Sequence, residues 1–99
     1  LLGALAGCLN VVGHGVAEEM DMTVDDIGVE IEGDLDPAKF QGEAEDPRAG
    51  YQDVRVDLTV ETDADDETLE TWLETVEERC PVSDNIGNAT PLSLDVTTA

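Results

Sequence analysis

Apolar and acidic residues alternate along two stretches of the chain. Over residues 24–35, Ile27, Val29, Ile31 and Leu35 point one way and Asp26, Glu30, Glu32 and Asp34 the other. A period of two marks a half-buried strand. Residues 53–62 repeat the pattern, with Val54, Val56, Leu58 and Val60 facing in and Arg55, Asp57, Thr59 and Glu61 facing out. The two strands are natural antiparallel neighbours. Residues 36–52 join them, and Asp36-Pro37, Asp46-Pro47 and Gly50 mark that segment as a long loop or hairpin tip. A third alternation, Leu92, Leu94 and Val96 against Ser93, Asp95 and Thr97, predicts a closing strand over 91–97.

The remaining apolar positions follow helical spacing. Residues 1–20 are mostly apolar, contain no proline and end in a charged turn. Gly3, Gly7, Gly13 and Gly15 each weaken an isolated helix by roughly 1 kcal/mol relative to Ala, yet they let another backbone approach closely. A helix apolar nearly all round is expected to be buried and central. The run is too short and too rich in glycine for a good membrane span. A second helix is predicted to start at a cap on Asp63 or Asp65 and to run to about Arg79. Leu69, Trp72, Leu73 and Val76 form its apolar face, and Cys80 extends that face by one turn. Glu70, Glu74, Glu77 and Glu78 face solvent. Pro81 interrupts the helix, and residues 82–87 read as a further short turn. The order is helix, strand, strand, helix, turn, strand. It describes an α+β fold, an antiparallel sheet with a helix layer on one face.

Charge narrows the function classes. The 99 residues, enough for a single domain over 1–99, carry 25 acids against 4 bases, a net charge of −21. Lys39, Arg48, Arg55 and Arg79 are too few and too scattered to grip a phosphate backbone, so nucleic-acid binding is excluded. Such charge is also found in disordered chains, but the regular apolar patterns argue for a folded one. The acids sit on faces expected to meet solvent, which fits a salt-rich cytoplasm where an acidic surface stays hydrated and its self-repulsion is screened. Leu5-Ala6-Gly7-Cys8 matches a lipoprotein cleavage box. Leu9, Val11, Val12 and Val16 nevertheless continue a core pattern where a polar tether would be needed. The chain opens on Leu1 within an apolar run and is expected to be a piece of a longer protein.

Cys8 and Cys80 are the candidate chemistry. Cys8 shares its helix face with Ala4, Val11, Val12 and Gly15, which leave room beside the sulfur for another chain or a small substrate. Cys80 ends the apolar face of the second helix. Both sulfurs are expected to point toward the helix–sheet core, which permits contact and a redox pair. They equally fit two small buried hydrophobes. If a short helix starts after Cys80, its free amides would face the sulfur and favour a thiolate. His14 lies six residues from Cys8, roughly 120° around the helix, so a direct dyad is disfavoured and an interior or interface histidine is expected. One His and two distant Cys give no zinc spacing. The Asp-rich stretches lack a calcium loop's ligand order. There is no glycine-rich phosphate motif and no GxSxG elbow. No metal or cofactor is expected.

Two motifs bring in a family. Ala4-Leu5-Ala6-Gly7-Cys8-Leu9 resembles the central-helix cysteine segment of the OsmC/Ohr family, and Arg79-Cys80-Pro81-Val82-Ser83-Asp84 resembles its distal cysteine segment. The Ala-Glu-Glu-Met helix end, the Val-Glu-Ile-Glu-Gly-Asp-Leu-Asp strand, the acidic second helix and Asn88-Ala89-Thr90-Pro91-Leu92 match in the same order. The resemblance covers essentially all 99 residues. It implies an OsmC-like fold lacking the family's N-terminal strands, an intertwined homodimer and cysteine-based reduction of organic hydroperoxides. By position, Cys8 would be the peroxidatic thiolate and Cys80 the resolving thiol. An external dithiol reductant would reset the pair. The alternative is an OsmC-like dimer that binds a small apolar ligand or a protein without catalysis. The family's activating Arg and its Glu partner lie before the central helix, and none of the four cations here sits in the matching motif.

Overall fold

A computed structural model describes residues 1–98. The elements follow in the order α1 (Leu2–Glu19), β1 (Val24–Asp34), β2 (Asp53–Thr62), α2 (Asp66–Arg79) and α3 (Pro81–Gly87). The expected α+β architecture is present: β1 and β2 form a two-stranded antiparallel sheet, α1 packs on β1, and α2 and α3 pack on α1. The register runs from Val24 opposite Thr62 to Asp34 opposite Asp53, with one irregularity near Asp25.

Local chemistry sets the ends of these elements. The last turn of α1 closes with Met22 N–H on the Ala17 carbonyl at 2.9 Å and Asp21 N–H on the Glu18 carbonyl at 3.2 Å. Asp21 takes the left-handed conformation this closure needs, with φ 52. Met22 is thereby turned into the core. Of the two candidate caps for α2, Asp65 is the one used; its carboxylate accepts the Thr68 N–H at 2.8 Å. At the loop end of the sheet, Asp34 and Asp53 stand opposite each other, and Arg55 hydrogen-bonds both carboxylates. The guanidinium offsets a repulsion that two facing acids would otherwise suffer. The 36–52 segment is a loop, as expected. Its Tyr51 ring lies so close to Gly33 that a Cβ there would sit 2.7 Å from ring carbons.

The core is aliphatic around one aromatic. Leu5, Leu9, Val16, Ala17, Met22, Ile27, Trp72, Val76 and Cys80 are buried together. Burying an aliphatic or aromatic side chain contributes about 1.5–3 kcal/mol, and the Trp72 N–H is satisfied by the Gly13 carbonyl.

Three expectations are corrected. The periodicity of 91–97 predicts a strand, but the structure has none: Leu92, Leu94 and Val96 are 83%, 89% and 94% exposed. A strand is a property of a pair, and no other strand pairs with this segment among the described residues. The apolar run of α1 predicts burial all round, whereas only one face is covered. Val11 is 72% exposed, and a Cβ added at Gly3, Gly7 or Gly15 would meet nothing. His14 lies on this same open side, exposed and not in the interior. Leu35, Val56 and Leu73 are also more exposed than their inward positions imply. For Val56 and Leu73 the cause is a gap: α2 makes no close backbone approach to β2 among the described residues.

Candidate functional site

The local sequence around Cys80 makes it a joint between two helices. Its N–H closes the last turn of α2 on the Val76 carbonyl at 3.0 Å. Pro81 then disfavours helical backbone at the residue before it, and Cys80 is extended, with φ −77 and ψ 109. Pro81 itself suits the first position of a new helix, so α3 begins at once. What reads as a turn over 82–87 is therefore a short helix, and Cys80 caps it: the Ser83 N–H donates to Sγ at 3.5 Å.

Cys8 comes to this joint from the middle of α1. The Cys80 thiol donates to the Cys8 sulfur at an Sγ–Sγ distance of 3.0 Å, and both cysteines are free. The two residues that the sequence marks for chemistry, 72 positions apart, are thus in contact. Their environments differ. Cys80 is fully buried and Cys8 is half-buried at the edge of the covered face.

Burial pushes the Cys80 thiol above its ordinary value, and the hydrogen bond to Cys8 adds to the rise. The Ser83 and Val82 amides pull the other way. The amides that the sequence places at this sulfur are present, but loss of solvation outweighs them. Cys80 therefore holds its proton and offers it to Cys8.

The nearest cation in sequence is directed elsewhere. Arg79 forms an ion pair with Glu19 at the end of α1. Glu19 lies eleven residues beyond Cys8, about 16 Å along the helix axis. This tie between residues 60 positions apart has no signal in the sequence. His14 is six residues along α1 and does not join the pair. Among the described residues, no group of three or more His, Cys, Asp or Glu could hold a metal ion.

An apolar groove lies near the pair, lined by neighbours of the two cysteines and not by the cysteines themselves. Its volume is about 450 Å³, and its walls include Leu5, Leu9, Val54, Leu58, Leu73 and Ile86. Leu5 and Leu9 flank Cys8 on α1, and Ser83, the residue that bonds Cys80 Sγ, also lines it. The pair can form a disulfide after an approach of about 1 Å, since a disulfide spans about 2.05 Å. No helix among the described residues is long and apolar enough to cross a membrane.

Comparison with known proteins places this geometry in context. A family model described as OsmC-like protein matches residues 1–95. No curated protein matches the chain. Among solved structures, an OsmC-like protein from Mycoplasma pneumoniae is similar, with TM-score 0.75 and 14% identity over 89% of this chain and 59% of that one. An OsmC-like hydroperoxide resistance protein from Jannaschia sp. CCS1 is similar with TM-score 0.73 and 16% identity, over 96% of this chain and 61% of that one. The chain thus spans about three fifths of the length of these solved structures.

Proposed function

The chain belongs to the OsmC family, and on that footing we propose that it reduces small organic hydroperoxides with the Cys8–Cys80 pair. The contact between the two sulfurs carries this reading. Cys8 is the more accessible sulfur and accepts the hydrogen bond of the Cys80 thiol. As thiolate it attacks the distal peroxide oxygen. The O–O bond breaks, the alkoxide leaves and takes a proton from solvent to become the alcohol, and Cys8 becomes a sulfenic acid. Cys80, held as a thiol beside it, displaces water from the sulfenic sulfur and forms the disulfide. An external dithiol takes over that disulfide and restores both thiols. The apolar groove suits an organic rather than an inorganic peroxide.

The setting belongs to the same proposal. The open side of α1, with Val11 exposed and space at Gly7 and Gly15, fits a second copy in a homodimer. The net charge of −21 fits a salt-rich cytoplasm. Residues 1–99 are read as one OsmC-like domain. Peroxide consumption by the encoded protein with a dithiol tests the activity. Loss of turnover in Cys8→Ser is expected, and equal turnover in both forms overturns the proposal.

A second reading is a non-catalytic dimer that binds a small apolar ligand in the 450 Å³ groove. It predicts that mild peroxide leaves Cys8 and Cys80 unlinked, which peptide mass mapping decides.

A further inference from the structure

We propose that the Cys8–Cys80 pair is also a two-sulfur site for trivalent arsenicals that carry one organic group. Donor type and donor number set the class of ligand. Both donors are soft thiol sulfurs, which select soft acceptors. No third His, Cys, Asp or Glu joins them among the described residues, so a four-coordinate structural zinc is not satisfied here.

Spacing then chooses among the acceptors that two thiolates can hold. With a bond to sulfur of about 2.3 Å, a linear two-coordinate ion holds its sulfurs about 4.6 Å apart. A tetrahedral ion at the same bond length holds them about 3.8 Å apart. A pyramidal centre with near-right angles brings them to about 3.3 Å. The sulfurs stand 3.0 Å apart in their hydrogen bond, so a pyramidal centre asks for the smallest opening of that contact. A monosubstituted As(III) centre has that shape and needs two thiolates and no more.

Access and charge agree with this assignment. Cys8 is half-buried at the edge of the covered face of α1. The groove of about 450 Å³ walled by Leu5, Leu9 and Ile86, and lined also by Ser83, which bonds Cys80 Sγ, gives an organic substituent room. The product is uncharged, and it enters a site where Cys80 is fully buried without the cost of burying an ion. The step balances without a redox partner. Two As–O bonds of the hydrated arsenical break and two As–S bonds form. Each thiol proton leaves with a hydroxyl as water, and arsenic stays trivalent.

Phenylarsine oxide added to the reduced encoded protein tests the site. One phenylarsenic adduct per chain is expected by intact mass, with both thiols lost to a thiol reagent. Excess monothiol should leave the adduct in place, and 2,3-dimercaptopropanol should remove it. Cys8→Ser and Cys80→Ser, checked for fold by the near-ultraviolet signal of Trp72, should each bind at least tenfold less tightly in monothiol. An adduct of the unaltered protein that monothiol removes as readily as from either variant, or no adduct at all, overturns the proposal. The thiol count on the unaltered protein decides the matter even where a variant fails to fold. The site does not depend on peroxide turnover. A pair that holds the arsenical but consumes no peroxide sinks the enzymatic reading alone, and the reverse result sinks this one alone.

Discussion

The indole N–H of Trp72 donates to the carbonyl oxygen of Gly13 at 2.8 Å, across 59 positions of sequence. The same ring closes over that glycine: a Cβ at Gly13 would lie 3.0 Å from Trp72 Cζ2 and 2.8 Å from Ile27 Cδ1. One contact thus joins α1, α2 and β1. Trp72→Ala should cost about 3–5 kcal/mol, a large share of the roughly 5–15 kcal/mol that holds a domain together. Gly13→Ala gains up to about 1 kcal/mol of helix propensity but loses about 1–3 kcal/mol to crowding. A lower denaturation midpoint at unchanged slope is expected for both variants. A Gly13→Ala protein as stable as its parent would contradict the close packing.

Cys80 should govern the alkaline limit of stability. Its folded-state value lies above its ordinary 9.0 because burial disfavours the thiolate. A raised value contributes stability that is complete below the unfolded value and is lost as pH rises through the folded one. The midpoint should therefore fall above about pH 9 in the parent, and Cys80→Ala should remove that share of the fall. Parallel alkaline limbs for the two proteins would count against it.

The acid limit should rest on two exposed carboxylates. Arg55 holds Asp34 below its ordinary 3.8, first by hydrogen bonding and then by charge. The Thr68 N–H, accepted at the cap of α2, does the same for Asp65. Depressed values contribute stability that is present above 3.8 and is lost as pH falls through the lower folded values. Thermal melts between neutral and strongly acid pH should show a shallower acid limb for Arg55→Gln and for Asp65→Ala. An unchanged limb in both would remove these groups from the account.

Salt should stabilise the protein. A charge of −21 on 99 residues repels itself. Raising ionic strength from 0.1 M to 1 M shortens the screening length from about 10 Å to about 3 Å. The melting temperature should climb steadily over that range in potassium chloride. A flat response would show that the acidic surface carries no penalty.

Elements with strong period were legible in the sequence. β1 and β2 alternate apolar and acidic residues, and α2 repeats its apolar positions every three to four residues above an Asp cap, so each carries its own boundary signals. Residues 91–97 alternate as clearly and yet form no strand, because alternation states which side would be buried and cannot supply the neighbouring backbone. The covered side of α1 was misjudged for a related reason. Residues 1–20 are apolar on most sides, so they name no preferred face. The packing of Ile27 and Trp72 on Gly13 chose one and left Gly7, Val11 and Gly15 open.

The candidate site divides along the same line. Sequence alone identified Cys8 and Cys80, because each sits on an apolar helical face and within a recognisable segment. It also offered amides at Cys80 on the condition that a short helix starts there, and Pro81 meets that condition. It could not state that the sulfurs meet, because nothing local couples residues 72 positions apart. Tertiary structure decided that, and with it how the surroundings of the two sulfurs differ. Packing α2 and α3 on α1 seals Cys80 from water and leaves Cys8 at the edge. Desolvation, which depends on what the whole chain folds around a sulfur, then keeps the proton on Cys80.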